Sequence, residues 1–262
     1  MRYSVSQKDG ERIMTNRRRP PVVAVLALGL AAAPVSASRD AGVAYDLTIA
    51  GIPIGDAFLR VVTGEGRYRI EGSADFGFLF WGGEGVAVSE GRAASDGFAP
   101  ESYRLAYQGV TRPGAVEIDF AEGRAARWDR RPEIPERYRE GRVALGDDDL
   151  RAVLDPLSAL VIPAPPDIPA NALCGRVQPV FTGYTRFDLA FEGATALDGD
   201  AVDCAVRYEP VAGHRPDSGS VERFSEPGAF AVRLAPIGDG VWGPDRVAVK
   251  TRFGTLEMTR RR

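Results

Sequence analysis

The sequence predicts a mainly β protein, in which a single antiparallel sheet curls into a half-barrel or β-spiral around one short amphipathic helix. Three observations support this prediction. Short runs of alternating apolar and polar residues recur along the chain, turn residues separate them at intervals of roughly 8 to 12 residues, and one segment has the apolar period of a helix. An antiparallel sheet of this length must curl, and the helix is available to cover its concave apolar face.

The first residues of the chain have the features of a secretory signal peptide. Three arginines at residues 17–19 precede an apolar run over residues 22–33, and small residues stand at the −3 and −1 positions of a cleavage site after Ala37. The apolar run is shorter than the roughly 20 residues that cross a bilayer, which disfavours a membrane anchor. We therefore expect cleavage after Ala37 and export to the periplasm, whether translation starts at Met1 or at Met14.

The chain that remains is acidic. Residues 1–37 hold six of the 33 Lys and Arg and two of the 36 Asp and Glu, so residues 38–262 carry 27 basic and 34 acidic residues, a net charge of −7. This balance argues against nucleic-acid binding. Residues 38–262 contain no further apolar run long enough to span a membrane. We expect these 225 residues to form a single β-rich periplasmic domain.

The alternating runs give the predicted strands in chain order. In the first half they lie at residues 43–49, 57–61, 68–70, 86–88, 103–107 and 116–120. Gly64-Glu65-Gly66 and Glu122-Gly123 supply turns in this half. In the second half they lie at residues 177–181, 185–191, 202–208, 229–234, 247–253 and 256–259.

Residues 150–162, between the two groups of strands, predict the helix because their leucines and valines recur at steps of three and four. Aspartates 147–149 favour a helix start there. Asp155-Pro156 leaves an alternative open: proline lacks an amide proton, so Asp155 can instead cap a second short helix that begins at Pro156. Prolines at 163, 165, 166 and 169 then hold the chain extended.

Cys174 and Cys204 are the two cysteines of the chain. An oxidising compartment lets them pair, and a disulfide closing roughly 30 residues contributes about 3.5 kcal/mol in the chain-entropy model. A zinc site is a poor alternative because two thiols and a single histidine, His214, make an incomplete ligand set. A redox role would place the cysteines close in sequence. We expect a structural disulfide and no metal or other cofactor.

The candidate catalytic residues in the sequence do not predict an enzyme. His214 sits in a loop-like segment, where a solvated histidine is far commoner than a catalytic one, and no serine stands in a Gly-x-Ser-x-Gly motif. Residues 127–139 form a basic-aromatic strip, for which a solvated loop with arginines stacked on rings is the simpler interpretation and an anionic headgroup or cell-wall polymer site the alternative.

An aromatic group precedes two glycines, where residues 76–81 run into Gly82-Gly83. The simpler interpretation is a strand pair buried on both sides. The alternative is a mobile aromatic flap over a lipid-accepting groove, since exposed aromatic clusters usually mark binding surfaces. With two leucines of the predicted helix, the ligand-groove candidates are Phe78, Phe80, Trp81, Leu154 and Leu157.

Short motifs follow one another in a fixed order through the chain. They include Asp155-Pro156-Leu157-Ser158-Ala159-Leu160, Cys174-Gly175, Val180-Phe181-Thr182-Gly183, Cys204-Ala205-Val206, Pro210-Val211-Ala212-Gly213, Trp242-Gly243-Pro244 and a Gly-x-x-Pro-x-x-Tyr pattern at residues 97–103. This order resembles the bacterial exported family called domain of unknown function 3108, over nearly the whole mature chain. The resemblance implies a periplasmic protein with a curved β-sheet like those of lipoprotein carriers, and it implies no catalytic residue.

A hydrolase or other enzyme is disfavoured by the missing catalytic residues, and two other functions remain open. The first is a non-enzymatic cell-envelope protein that binds a lipid or a lipidated chain, such as a lipoprotein, on its concave sheet face. The second is an envelope scaffold that binds another protein while its own helix fills the groove and its strand edges pair with the partner. Free volume beside Leu154 and Leu157 would favour the first, whereas dense packing there would favour the second.

Overall fold

The alternating pattern becomes fourteen β-strands in the computed structural model, which describes residues 38–78, 81–94, 97–109, 112–165, 167–197 and 200–262. The strands are β1 (Arg39–Ile49), β2 (Ile52–Gly64), β3 (Arg67–Phe78), β4 (Trp81–Ala94), β5 (Gly97–Gly109), β6 (Gly114–Ala121), β7 (Arg124–Arg131), β8 (Ile162–Pro163), β9 (Val177–Phe181), β10 (Arg186–Ala196), β11 (Val202–Ala212), β12 (Phe230–Gly238), β13 (Val241–Thr251) and β14 (Gly254–Arg260). Two short helices are α1 (Ala170–Cys174) and α2 (Gly219–Ser225). The predicted mainly β class is confirmed.

One antiparallel sheet contains all of these strands. Its order is β7-β6-β5-β4-β3-β2-β1-β14-β13-β12-β11-β10-β9, and β8 pairs with β13. Consecutive strands are therefore sheet neighbours from β1 to β7 and from β9 to β14. The seam between these two groups is the pairing of β1 with β14, through Tyr45↔Arg260 and Leu47↔Met258. This seam brings both ends of the described chain to the middle of the sheet and leaves β7 and β9 as its edges.

Residues 146–161, which we call the plug segment, lie between these two edges. Arg151 forms a β-bridge to Arg124 of β7, and Leu154 forms one to Val180 of β9. The Leu154 amide donates to the Pro179 carbonyl at 2.7 Å. Because the plug segment hydrogen-bonds to both edges, it covers polar groups that an open edge would expose and leaves a nearly closed barrel.

The plug segment differs from the prediction in its secondary structure. The helix expected over residues 150–162 is wrong: two short 3₁₀ helices, Asp148–Leu150 and Ser158–Leu160, flank irregular residues that include a turn at Ala152 with a positive φ of 51°. The physical reason is Pro156, which has no amide proton for an α-helical bond. The alternative with a second short helix is closer, since the Asp155 carboxylate accepts hydrogen bonds from the amides of Leu157 and Ser158 at 2.9 and 3.0 Å.

The plug segment nevertheless supplies apolar side chains to the barrel interior, as expected. The larger core cluster joins it to the inward faces of the sheet and includes Tyr45, Ile70, Ile118, Leu150, Val153, Leu157, Val161 and Phe181. The inward positions alternate with exposed ones along β1 to β6, which is the pattern that the sequence predicted.

A second core cluster surrounds the cysteines. Cys174, at the end of α1, is disulfide-bonded to Cys204 of β11 with the two Cα atoms 5.4 Å apart, so the predicted pairing is confirmed. Leu173, Leu234 and Trp242 pack around the bond. The disulfide thus ties α1 to the sheet on which it lies.

Strand β7 was not predicted. It occupies part of the basic-aromatic strip, and of its eight residues only Ala125 is buried, so it lacks the apolar alternation of the other strands. Trp128 contacts Phe181 edge-on, with ring centroids 5.3 Å apart. This half of the strip is therefore an edge strand and not a solvated loop, because an edge strand can lie on the barrel through a few contacts only.

Candidate functional site at the barrel mouth

The predicted groove leucines lie in the plug segment, but they do not line one open groove. Leu157 is buried against the barrel wall, and a methyl group built at Gly72 would come within 2.8 Å of its Cδ2 atom. Leu154 is half-buried beside a cavity of about 180 Å³. The concave face is therefore filled at Leu157 by the chain itself.

The predicted aromatic residues lie at the far end of β3. Phe78 is half-buried, and its ring meets that of Phe253 edge-on with centroids 6.3 Å apart. Phe80 lies outside the described residues, and Trp81 is described only as the backbone partner of Phe78. The structure does not bring Phe78 together with Leu154 or Leu157 in one lining, so a shared role in ligand binding stays a prediction.

A large open cleft lies at the opposite end of β3, and we call it the mouth cleft; its volume is about 1010 Å³. Its floor consists of inward-facing apolar residues, namely Ala41, Val61, Ala93 and Val241. Its rim carries side chains of both charges, namely Arg39, Asp40, Glu65, Arg67 and Asp239. One wall is the extended segment Pro163-Ala164-Pro165.

Turn residues and backbone hydrogen bonds position the hairpin and the proline segment that border the mouth cleft. The β2–β3 hairpin turns through Glu65 and Gly66, whose φ angles of 52° and 72° suit a tight type I′ turn. The Ala164 amide donates to the Gly240 carbonyl at 3.0 Å, and the Trp242 indole N–H donates to the Pro165 carbonyl at 3.3 Å. The proline segment is thus tied to β13 and its preceding turn and keeps the mouth cleft walled on that side.

Two of the rim charges pair with side chains outside the rim. The Arg60 guanidinium bonds the Asp40 carboxylate at 2.6 Å and holds the pKa of that carboxyl below its usual range. Arg67 pairs with Glu101 at 2.7 Å, while Arg39 donates to the Asp239 carbonyl at 3.3 Å. Apolar floor and charged rim together suit an amphiphile, whose chain can leave water while its polar group stays at the rim.

The mouth cleft was not predicted from the sequence. Of its floor residues only Val61 lies in a predicted strand, and β1, β2, β4 and β13 come together there only in the folded sheet. The one available signal was the proline run after residue 162, which predicted an extended segment and now forms a wall.

A buried polar cluster anchors the plug segment to the barrel wall. The Ser89 and Ser158 hydroxyls donate to Asp155 Oδ2 at 2.6 and 2.7 Å, and the Tyr68 hydroxyl lies 2.8 Å from Ser158 Oγ. Asp155, Ser89 and Ser158 each have 0 % exposure. Burial raises the pKa of Asp155 above its ordinary value, although the hydrogen bonds that it accepts oppose this.

The raised pKa predicts how Asp155 contributes to stability at different pH values. The folded state binds this proton more tightly than the unfolded chain, so the contribution is complete below the ordinary value of 3.8 and is lost as pH rises through the folded value. We expect the unfolding free energy of the wild type, relative to Asp155→Asn, to fall as pH rises above the ordinary value of 3.8. Denaturant titrations of both proteins at matched pH measure this difference, and a constant difference would contradict the prediction.

His214 is not the solvated loop residue that we expected. It is buried, with 9 % exposure, where its carbonyl accepts a hydrogen bond from the Val143 amide at 2.9 Å. Among the described residues nothing hydrogen-bonds to His214 Nδ1. The expectation was wrong because residues 139–143 fold over the end of β11 and cover this corner.

The described residues hold neither a bilayer-crossing helix nor a group of metal-ligating side chains. None of the helices there has the length and apolar character needed to cross a bilayer. In the same part of the chain, no three or more His, Cys, Asp or Glu side chains are grouped as a metal ion would require.

Comparison with known proteins gives one match. A family model described as "Protein of unknown function (DUF3108)" matches residues 44–261, which is most of the chain and nearly all of the described part. No curated protein and no solved structure matches the sequence.

Proposed function

The chain belongs to the DUF3108 family of proteins of unknown function, and from this premise we propose that it is a non-enzymatic periplasmic cell-envelope protein that binds a lipid or a lipidated chain in the mouth cleft. The mouth cleft is the observation that carries this proposal. Its volume of about 1010 Å³ is at the upper end of the 300 to about 1,000 Å³ typical of ligand sites, and its floor is apolar.

The amino-terminal sequence supports export. Cleavage after Ala37 would make Ser38 the first residue, and Ser38 lines the mouth cleft. The new α-amino group would then stand at the cleft and add a positive charge near Arg39. An anionic headgroup would meet both charges there, while its acyl chain lay against Ala41 and Val61.

A protein scaffold is the second candidate, and the filled interior favours it. Leu157 packs against Gly72, and the plug segment bridges both sheet edges, so the chain occupies much of its own concave face. Strand addition at β7 or β9 would have to displace these bridges.

Ligand binding is tested on the mature protein, residues 38–262, purified from periplasm without detergent. We expect native mass spectrometry to show a reproducible lipid-sized adduct, and we expect a fluorescent palmitate analogue to bind when the purified protein is first delipidated. Ala93→Phe should weaken binding of the analogue at least tenfold, because the ring would fill the inward floor of the mouth cleft.

A matched variant separates filling of the cleft from a general effect on the sheet. Ala99→Phe adds the same ring to β5 at an exposed position, directly opposite Arg92, and should change binding less than twofold. Equal loss of binding in both variants, or a wild type with neither an adduct nor affinity for the analogue, would contradict the proposed site.

A further inference from the structure

The outer face of β1 to β5 carries an exposed apolar row. Phe58 on β2 and Val86 on β4 are 44 % and 59 % exposed, and both stand directly opposite Ser73 of the strand between them. Ala44 and Ala106 extend the row by one strand on each side. The row thus aligns two large exposed apolar side chains, Phe58 and Val86, on either side of the small Ser73, with an alanine beyond each.

A row of acidic residues lies on the same strands and the same face, two residues away from the apolar row. Asp46, Asp56, Asp75 and Glu84 stand directly opposite one another on β1, β2, β3 and β4. Like charges in directly opposed positions destabilise a sheet. Arg261 pairs with Asp46 at 2.6 Å and also interacts electrostatically with Asp56, but within the described part of the chain no basic side chain lies within ion-pair distance of Asp56 or Asp75.

On the other flank of the apolar row, still on the outer face, the carboxylates are paired with arginines. There Arg60 faces Glu71 with an ion-pair distance of 3.6 Å, and Arg104 faces Glu117 with the same distance. The sheet therefore pairs cross-strand carboxylates with arginines on this side of Phe58 and Val86. On the other side, Asp56 and Asp75 face each other without an ion pair among the described residues. Local sheet stability does not explain this contrast, since an arginine opposite Asp56 or Asp75 would be stabilising.

We infer that this outer face, the apolar row with the acidic row beside it, docks a basic amphipathic helix of a partner protein. Charge complementarity indicates this kind of partner. Apolar side chains of the partner helix would cover Phe58 and Val86, and its Lys or Arg side chains would lie over Asp56 and Asp75. An anionic lipid surface is disfavoured by the same carboxylates. The face lies on the other side of the sheet from the mouth cleft, so the inference does not rest on the proposed function.

The dimensions of a helix fit this arrangement. Neighbouring strands lie about 4.8 Å apart, so a helix running across them advances nearly one turn, about 5.4 Å, for each strand that it crosses. Four acidic positions span about 14 Å, which a helix of about ten residues covers. The two rows are about 7 Å apart along the strands, within the roughly 10 Å diameter of a helix.

The test uses full-length mature protein and a synthetic peptide with leucines on one face and lysines at i, i+4 and i+7 on the neighbouring face. We expect the labelled peptide to bind by fluorescence anisotropy at low salt and to weaken as salt rises. Asp56→Asn/Asp75→Asn should weaken binding at least fivefold, and Val86→Ser should weaken it at least threefold. A peptide of the same pattern with glutamates in place of lysines should not bind.

Glu71→Gln is the matched control, because it removes a carboxylate from the same face on the side where arginines pair with carboxylates, and it should change affinity less than twofold. Thermal melting adds a second readout: Asp56→Asn/Asp75→Asn should melt no lower than wild type, since like-charge repulsion is relieved. Absence of binding by the basic peptide, equal binding by the glutamate peptide, or equal losses in Glu71→Gln would overturn the inference.

Discussion

Replacing Asp155 with alanine is expected to lower the free energy of unfolding by about 3 kcal/mol. The Asp155 carboxylate accepts hydrogen bonds from two amides, those of Leu157 and Ser158, and from the hydroxyls of Ser89 and Ser158. The hydroxyls lie 2.9 Å from each other and can bond together after the change, but the two amides lose their acceptor. Each buried amide left without a partner costs about 1 to 3 kcal/mol.

Two variants show whether this loss comes from the buried cluster. Asp155→Asn keeps an oxygen for the amides and should cost about 1 kcal/mol. Asp148→Ala removes a carboxylate from the same plug segment. The Asp148 side chain is almost fully exposed and, among the described residues, bonds only Arg151, so the stability of this variant should stay close to that of wild type. Urea denaturation followed by tryptophan fluorescence at constant pH measures all three.

The size of the loss decides the role of Asp155. An Asp155→Ala protein as stable as wild type would mean that the plug segment is not anchored by this cluster. If the loss of stability is confirmed, hydrogen exchange in the Asp155→Ala protein should be faster at the Leu154 amide, which bonds β9, than at amides within the β2–β3 pair.

Removing the disulfide with Cys174→Ala/Cys204→Ala is expected to lower the free energy of unfolding by roughly 3.5 kcal/mol. The bond closes a loop with a sequence separation of 30 residues, and without it the unfolded chain gains the entropy of that open loop. Both sulfur atoms lie in the second core cluster, so alanine leaves the packing around them largely apolar and the loss of the cross-link dominates.

The measurement compares guanidinium denaturation of the double variant, the oxidised wild type and the wild type reduced with dithiothreitol. Reduced wild type and double variant should share a lower midpoint. The intact mass of the native wild type should be two hydrogens below that of the reduced chain. Two titratable thiols in the native protein, with unchanged stability after substitution, would contradict the disulfide.

Much of the fold could be predicted because its signals are local. Alternation such as that of Val43, Tyr45 and Leu47 identifies a half-buried strand without knowledge of its partners, and the β2–β3 turn at Glu65-Gly66 requires only two residues that accept positive φ. The pairing of Cys174 with Cys204 followed from their number, since a chain with two cysteines has one possible bridge.

The prediction was less successful where local signals conflict or are absent. In the plug segment the apolar spacing of three and four suggested an α-helix, yet burial of Leu150, Val153 and Leu157 is equally satisfied by an irregular strand-bridging segment around Pro156. Strand β7 has almost no buried side chain and therefore no alternating pattern to detect.

By itself the sequence determined the mainly β class, most strands, the turns and the disulfide, because each depends on neighbours along the chain or on residue identity. Tertiary structure alone decided the rest. Closure of the sheet by the plug segment, the opening of the mouth cleft and the alignment of Asp56 with Asp75 all depend on which strands meet and in which register. Register is a property of two or more strands together, and a change of one residue in it would turn every one of these side chains to the other face of the sheet.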